Sequence, residues 1–97
     1  MSYKISQKSK EDLEDIWLYT YKNRSLEQAD RYLNLIFDEI EYISRNFESG
    51  KAIDHVRNGY RFSRIKSHFI FYRKVEEEKI EIVRILHQCM DIENRLE

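Results

Sequence analysis

The chain opens with a change of hydrophobic period. Residues 2–6 alternate polar and apolar, which predicts a short first strand. After them the apolar side chains recur at the spacing of an amphipathic helix, at Leu13, Ile16, Trp17 and Tyr21. Because they belong to this stripe, Trp17 and Tyr21 are predicted to lie in the core.

The start of this first helix carries capping signals. Ser6 or Ser9 is a candidate N-cap, and Ser9 with Asp12 has the spacing of a capping box. Acidic side chains are concentrated in the first turns, where the helix dipole favours negative charge. These signals predict a helix that begins just after the first strand.

A second helix follows a polar break at residues 23–25. Ser25 and Gln28 form a capping box for it, and Gly50 is a natural stop. One apolar stripe runs through about six turns, at Ala29, Tyr32, Leu33, Ile36, Ile40, Ile43 and Phe47. The two helices are predicted to form an antiparallel hairpin, with Tyr19 and Tyr42 off the stripes and exposed.

Beyond Gly50 the chain favours strands. Residues 51–58 are mostly polar and predict a loop, after which aromatic and β-branched residues favour three strands joined by short connections, near residues 60–63, 69–72 and 79–87. The last strand turns nearly all-apolar at 82–86, which predicts a central strand covered on both faces. Residues 90–97 form a short C-terminal tail.

These elements define a fold class. The order is β-α-α-β-β-β, which predicts an α+β fold: an antiparallel sheet with a two-helix hairpin packed on one face, and a short C-terminal tail. A length of 97 residues predicts one domain over residues 1–97.

Charge is distributed unevenly along the chain. The formal net charge is −1, which argues against a bulk polyanion binder. Residues 1–48 carry 7 basic and 10 acidic side chains, and residues 49–97 carry 10 basic and 8 acidic. Residues 57–75 hold six basic side chains and no acidic one. A local positive patch on the predicted sheet is the first functional hint.

Several classes of site are excluded by composition. The one cysteine, Cys89, cannot form an intrachain disulfide or a cysteine-based zinc cage, and it is predicted to be a small, partly buried hydrophobe. No apolar run approaches the length of a membrane span. We expect a cytoplasmic protein with no cofactor, no metal site and no membrane association.

Arginines within apolar strands are the most informative side chains. A buried, unpaired guanidinium is costly, so each must pair with a carboxylate or meet an acidic partner in a groove. Strand alternation places Arg84 on the face of Ile80, Ile82 and Leu86. The predicted groove is lined by Tyr60, Arg61, Arg64, Arg73 and Arg84, and solvated or locally paired charges remain the alternative.

Histidines at strand ends suggest an alternative chemistry. His87 ends the last strand and His68 opens the one before it. A histidine there can act as a general acid or base, with arginines stabilising phosphorane charge during RNA cleavage. The nuclease hypothesis uses His87, Arg61 and Arg73; the competing interpretation is a hydrogen-bonded structural histidine. No Ser-His-Asp or Cys-His spacing is present.

Several segments along the chain resemble those of one family, in the same order. The run 84–91, RILHQCMD, is similar to the ending of ParE-type toxins of the RelE/ParE toxin–antitoxin superfamily. Residues 59–61 and 68–73 resemble its GYR and HxxFYR segments. The family's helix signatures are matched by Asp12-Leu13 with Ile16 and Tyr19, and by Gln28-Ala29 with Tyr32. The family's Pro-x-x-Gly after the second helix is represented here by Gly50 without the proline.

The resemblance implies a small cytoplasmic bacterial toxin, involved in plasmid or chromosomal stabilisation and neutralised by a ParD-like antitoxin. It implies inhibition of DNA gyrase and no direct DNA binding by the toxin alone. The protein is then more a gyrase-poisoning partner than an enzyme. Residues 88–97 contain no tyrosine, which favours ParE over the RelE-like, ribosome-dependent endoribonucleases. That nuclease, and an inactive toxin-fold protein serving only as a partner, remain the alternatives.

Overall fold

The computed structural model describes residues 2–96 and contains the predicted order of elements, with additions. The strands and helices are β1 (Ser2–Ile5), α1 (Gln7–Asn23), α2 (Leu26–Arg45), β2 (Lys51–Ala52), β3 (Tyr60–Ile65), β4 (His68–Glu76), β5 (Lys79–His87) and α3 (Ile92–Arg95). A single 3-10 turn, Phe47–Ser49, follows α2. The two-residue β2 lies in the segment predicted as loop.

The sheet has five strands in the order β1-β5-β4-β3-β2. β2 to β5 pair antiparallel, as predicted, but β1 pairs parallel with β5, so the sheet is mixed. Parallel pairing needs a long crossover, and here the rest of the domain lies between the two strands. β5 is an interior strand between β1 and β4, as its apolar sequence predicted.

Side-chain caps determine where both helices begin. The Ser6 hydroxyl accepts a hydrogen bond from the Ser9 amide at 3.1 Å, so Ser6 is the cap of α1. Ser9 is fully buried, and its hydroxyl donates to the Ile82 carbonyl at 2.9 Å. The predicted capping box of Ser9 with Asp12 is therefore wrong. Ser25 caps α2 through the Gln28 amide, as predicted.

The hairpin packs on one face of the sheet, called here the helical face. The main core lies between them and contains Leu13, Ile16, Ile36, Ile40, Ile43, Ile70, Tyr72, Ile80, Ile82 and Ile85. Tyr21 is 47% exposed, contrary to prediction, and Trp17 is only half-buried and stacks on it at 5.3 Å. The buried residues of α1 are Ser9, Leu13 and Ile16, so the stripe continues to Thr20 rather than Tyr21.

The opposite face of the sheet, called here the tail face, carries a second apolar cluster. Its buried members are Ile53, Phe71, Leu86 and Leu96. Leu96 follows α3 and is 3% exposed, so the C-terminal segment covers part of this face. The sheet therefore lies between two apolar layers, as predicted for its last strand.

A β-bulge in β5 changes which side chains share a face. Phe71 pairs with Arg84 while Tyr72 pairs with Ile82, which leaves Val83 as the extra residue. A bulge reverses the alternation beyond it. Arg84 therefore shares the tail face with Leu86 but not with Ile82, and the predicted common face of these residues is wrong in that respect.

In the described part of the chain, no helix has the length and apolar character required to cross a membrane. Residues 2–96 also bring together no group of three or more metal-ligating side chains suited to an ion.

Candidate functional site

The predicted groove residues are divided between the two faces of the sheet. Tyr60 packs with the tail-face cluster, and Arg64 lies over Phe69 in that cluster. Arg73 pairs with Tyr60 across β3 and β4 and places its guanidinium 6.0 Å from that ring. Arg61 alternates with Tyr60 and so points to the helical face. The tail face therefore carries Tyr60, Arg64 and Arg73 of the predicted groove, whereas Arg61 lies on the helical face.

The tail-face arginines are engaged by groups of the protein itself. Arg73 forms an ion pair with Glu81 at 2.9 Å. The Arg64 guanidinium donates to the Lys66 carbonyl and to the Gln88 side chain, each at 2.8 Å. Both arginines remain substantially exposed. The groove stays a prediction, and an acidic partner that binds there must compete with these existing hydrogen bonds.

Arg61 binds the short segment that follows the second helix. Its guanidinium donates to the Gly50 carbonyl at 2.6 Å and lies 5.2 Å from the centre of the Phe47 ring. Lys74 lies 4.7 Å from the same ring. Cation–π contacts of this kind add modest stability, and here they hold the 3-10 turn against the sheet.

Arg84 forms the most buried ion pair among the described residues. Its Nε and Nη2 donate to the two carboxylate oxygens of Asp12, both at 2.8 Å. The Ile85 amide donates to the same carboxylate at 2.9 Å. The Asp12 hydrogen bond raises the pKa of Arg84. The sequence predicts that a strand arginine either pairs with a carboxylate of the protein or meets an acidic partner, and Arg84 pairs with a carboxylate.

The nuclease set is not brought together. The register places His87 opposite His68 at one end of β4 and β5, whereas Arg73 pairs with Glu81 toward the other end. Five residues of β-strand separate His68 from Arg73, which is about 17 Å along the strand. Arg61 is four residues from Ile65, the partner of His68, or about 14 Å. A scissile phosphate does not span such distances.

His68 and His87 instead form a pair with a tyrosine from α2. The two imidazoles are in edge-on contact at 5.3 Å. The Tyr32 hydroxyl lies 2.6 Å from His68 Nδ1 and 3.2 Å from the Ile65 carbonyl. Sequence reasoning missed this cluster because Tyr32 and His68 are 36 positions apart and no spacing links them.

The pair keeps one imidazole neutral. Burial and the neighbouring His87 lower the pKa of His68 to about 4, against a smaller opposing effect of Asp12. The Tyr32 hydroxyl donates to the Ile65 carbonyl, and the direction of its hydrogen bond with His68 Nδ1 follows the tautomer of the neutral ring. His87 accepts the Cys89 amide at its own Nδ1, and Cys89 is exposed rather than partly buried as predicted.

This lowered pKa predicts a pH dependence of stability. The unfolded chain protonates His68 near pH 6.5 and the folded chain near pH 4, so stability falls as the pH drops through this window. Because His68 is only partly buried, we expect a loss of about 1 to 2 kcal/mol after solvent screening. Urea denaturation at pH 7 and pH 4.5 measures it.

A matched pair of variants isolates the contribution of His68. His68→Gln keeps a hydrogen-bonding side chain beside Tyr32 but does not titrate, so its stability should fall less over the same window. His55→Gln, at an exposed position, should behave as the parent protein. Equal pH dependence in all three proteins contradicts the assignment.

Comparisons with known proteins agree with the architecture. Residues 3–92 match the family model described as the ParE toxin of the type II toxin–antitoxin system parDE. Toxin ParE1 of Mycobacterium tuberculosis is 38% identical over 97% of this chain and 96% of its own length. Toxin ParE1 of Caulobacter vibrioides is 37% identical, covering 92% and 91% respectively.

A solved structure supports the fold. A chain of the chromosomal ParDE TA system from P. aeruginosa superposes with a TM-score of 0.77, covering 90% of this chain and 95% of that one. At 21% identity this match shows the fold alone. The family model and the curated relatives span nearly the whole sequence, and on their strength the chain belongs to the ParE toxin family of type II toxin–antitoxin systems.

Proposed function

We propose that this toxin acts in the bacterial cytoplasm by inhibiting DNA gyrase, and that a ParD-like antitoxin neutralises it. The observation that carries the proposal is the family match over residues 3–92, together with relatives named ParE1 that align over almost their full length. The separation of His87 from Arg61 and Arg73 argues against the RelE-like alternative, since the nuclease hypothesis requires them around one phosphate.

The proposal predicts gyrase-dependent damage. The purified toxin is incubated with gyrase, ATP and relaxed plasmid, and we expect loss of supercoiling and trapped double-strand breaks. Adding the ribbon-helix-helix protein encoded beside the toxin should restore supercoiling. Expression without the antitoxin should halt growth and produce the same DNA breaks in the cell.

RNA mapping in the same cells separates the alternatives. Primer extension on abundant messages should find no new cuts after induction. Cuts within codons that disappear in His87→Ala, without gyrase-linked breaks, overturn the gyrase proposal in favour of a nuclease. If cells grow normally with soluble, folded toxin and no antitoxin, both the gyrase and the nuclease proposals are overturned. The protein is then a toxin-fold protein that serves only as a binding partner.

A further inference from the structure

A cleft lies between the helical hairpin and the end of the sheet that carries the histidine pair. It has a volume of about 870 Å³. Its walls come from α1, α2, the turn between β3 and β4, the end of β5 and the segment just after it. None of the residues predicted for the groove lines it, and only His87 of the nuclease set does. This region is therefore distinct from the predicted groove.

Three cations on separate segments line the cleft. Arg24 lies in the connection between the helices, Arg31 on α2, and Lys66 in the β3–β4 turn. All three are exposed, and none takes part in an ion pair within residues 2–96. Asp15 is the one carboxylate in the lining. Because the cations are free, an acidic ligand meets them without displacing existing partners.

Apolar and aromatic side chains form a further part of the lining, beside the polar Thr20, Gln28 and Ser67. Ile16, Leu35 and Met90 supply aliphatic or thioether surface, and Met90 is 40% exposed. Tyr19 is 71% exposed and stands beside them. A bare anion would leave this apolar surface in contact with water. A peptide that carries both carboxylates and an apolar side chain covers the apolar surface and pairs the cations.

The comparison with the tail face favours this cleft over the predicted groove for an acidic partner. There, Arg73 is bonded to Glu81, and Arg64 to Lys66 and Gln88. An incoming carboxylate at the tail face replaces bonds that already exist, whereas at the cleft it forms new ones. The net gain in binding free energy is therefore larger at the cleft.

We propose that this cleft is the docking site for an acidic, amphipathic peptide segment, with carboxylates on Arg24, Arg31 and Lys66 and one apolar side chain against Leu35 and Met90. The inference deepens the proposed function, because a neutralising antitoxin is the natural source of such a segment. Steering by the three cations also makes association faster at low salt.

The test measures affinity of the antitoxin for charge-reversal variants. Arg24→Glu combined with Arg31→Glu should weaken binding about 100-fold, since two opposed charge contacts are lost. Met90→Glu should weaken it about tenfold by placing a charge on the apolar anchor site. Arg45→Glu is the matched control, because it reverses an exposed charge outside the cleft, and it should bind normally.

A second probe makes the result independent of the antitoxin. Isotope-labelled toxin is titrated with a designed helical peptide bearing Glu on one face and a single Leu, and with the same peptide bearing Lys in place of Glu. Resonances of Ser67 and Met90 should shift with the Glu peptide only, and not in the Arg24→Glu, Arg31→Glu variant. Gyrase inhibition by that variant is measured in parallel, which tests the proposed function separately.

Three results overturn the assignment. The first is unchanged antitoxin affinity in the double cleft variant while Arg73→Glu abolishes binding, which places the partner on the tail face. The second is shifts at the cleft with both peptides or with neither. The third is displacement of the acidic peptide by a single-stranded oligonucleotide at lower concentration than by unlabelled peptide, which identifies a nucleic-acid site.

Discussion

Asp12→Ala should cost about 3 kcal/mol of folding stability, at the lower end of the effect of breaking a buried ion pair. The Arg84 and Asp12 side chains are only 15% and 11% exposed. Without the carboxylate, the guanidinium keeps one weaker bond to the Arg95 carbonyl at 3.2 Å, and the Ile85 amide loses its acceptor. The unpaired Ile85 amide adds to the loss of folding stability, because a backbone group without a hydrogen-bond partner is costly.

The position of Asp12 follows from the way the sheet ends. β1 pairs with β5 only as far as Ile82, so the edge of β5 beyond it has no neighbouring strand. Asp12 projects from α1 and accepts the Ile85 amide there. This carboxylate substitutes for the missing strand and also ties the hairpin to β5.

Thermal or urea denaturation measures the effect, and two variants control for it. Arg45→Gln removes an exposed ion pair with Glu41 and should change stability by less than about 0.5 kcal/mol. Asp12→Leu with Arg84→Met replaces the charges with apolar groups and should recover part of the loss, because only the Ile85 amide remains unpaired. A loss for Asp12→Ala no larger than for Arg45→Gln contradicts the assignment.

Gly50→Ala should destabilise the fold by about 3 kcal/mol, as overpacking of a filled interior does. A Cβ at this position would lie 2.0 Å from the Tyr72 hydroxyl and 2.9 Å from the Phe62 carbonyl. Tyr72 cannot move away cheaply. It is fully buried, its hydroxyl donates to the Phe47 carbonyl at 2.7 Å, and its ring packs edge-on against Phe47.

Gly59→Ala is the control for glycine itself. Gly59 has a φ of +83° and open space around its Cβ position, so alanine there should cost only about 1 kcal/mol of backbone strain. Tyr72→Phe should partly relieve Gly50→Ala in a double-mutant cycle, since the nearest clashing atom is gone. Equal losses at the two glycines contradict the steric explanation.

The local pattern around Gly50 suggests a different reason for this glycine. Its position after α2 predicted a helix stop, but the helix ends earlier, at Arg45, with Asn46 as its cap. Gly50 has an ordinary φ of −75°, so its backbone does not require glycine. What requires glycine is the approach of Tyr72, a contact across 22 positions that no local pattern reveals.

The candidate site shows the same division between local pattern and long-range contact. The arginines of the strands were identified from the sequence as the side chains that need explanation, and Arg84 does pair with a carboxylate. Which carboxylate it chooses is not local, because Asp12 lies 72 positions earlier. Arg24 and Arg31, which form no ion pair within residues 2–96, are not marked by any local pattern, since nothing in the helical pattern shows that the sheet ends beside them.

The order of elements, the hairpin, the interior position of β5 and the family can all be predicted from the sequence, because they depend on short-range periodicity and on motifs that lie within single segments. The parallel pairing of β1, the bulge at Val83 and the face on which Arg84 lies depend instead on long-range packing. Strand alternation has a period of two, so one inserted residue moves every later side chain to the other face. The inserted Val83 therefore places Arg84, which ties α1 to the sheet, on the opposite face from Ile82, although plain alternation predicts a shared face.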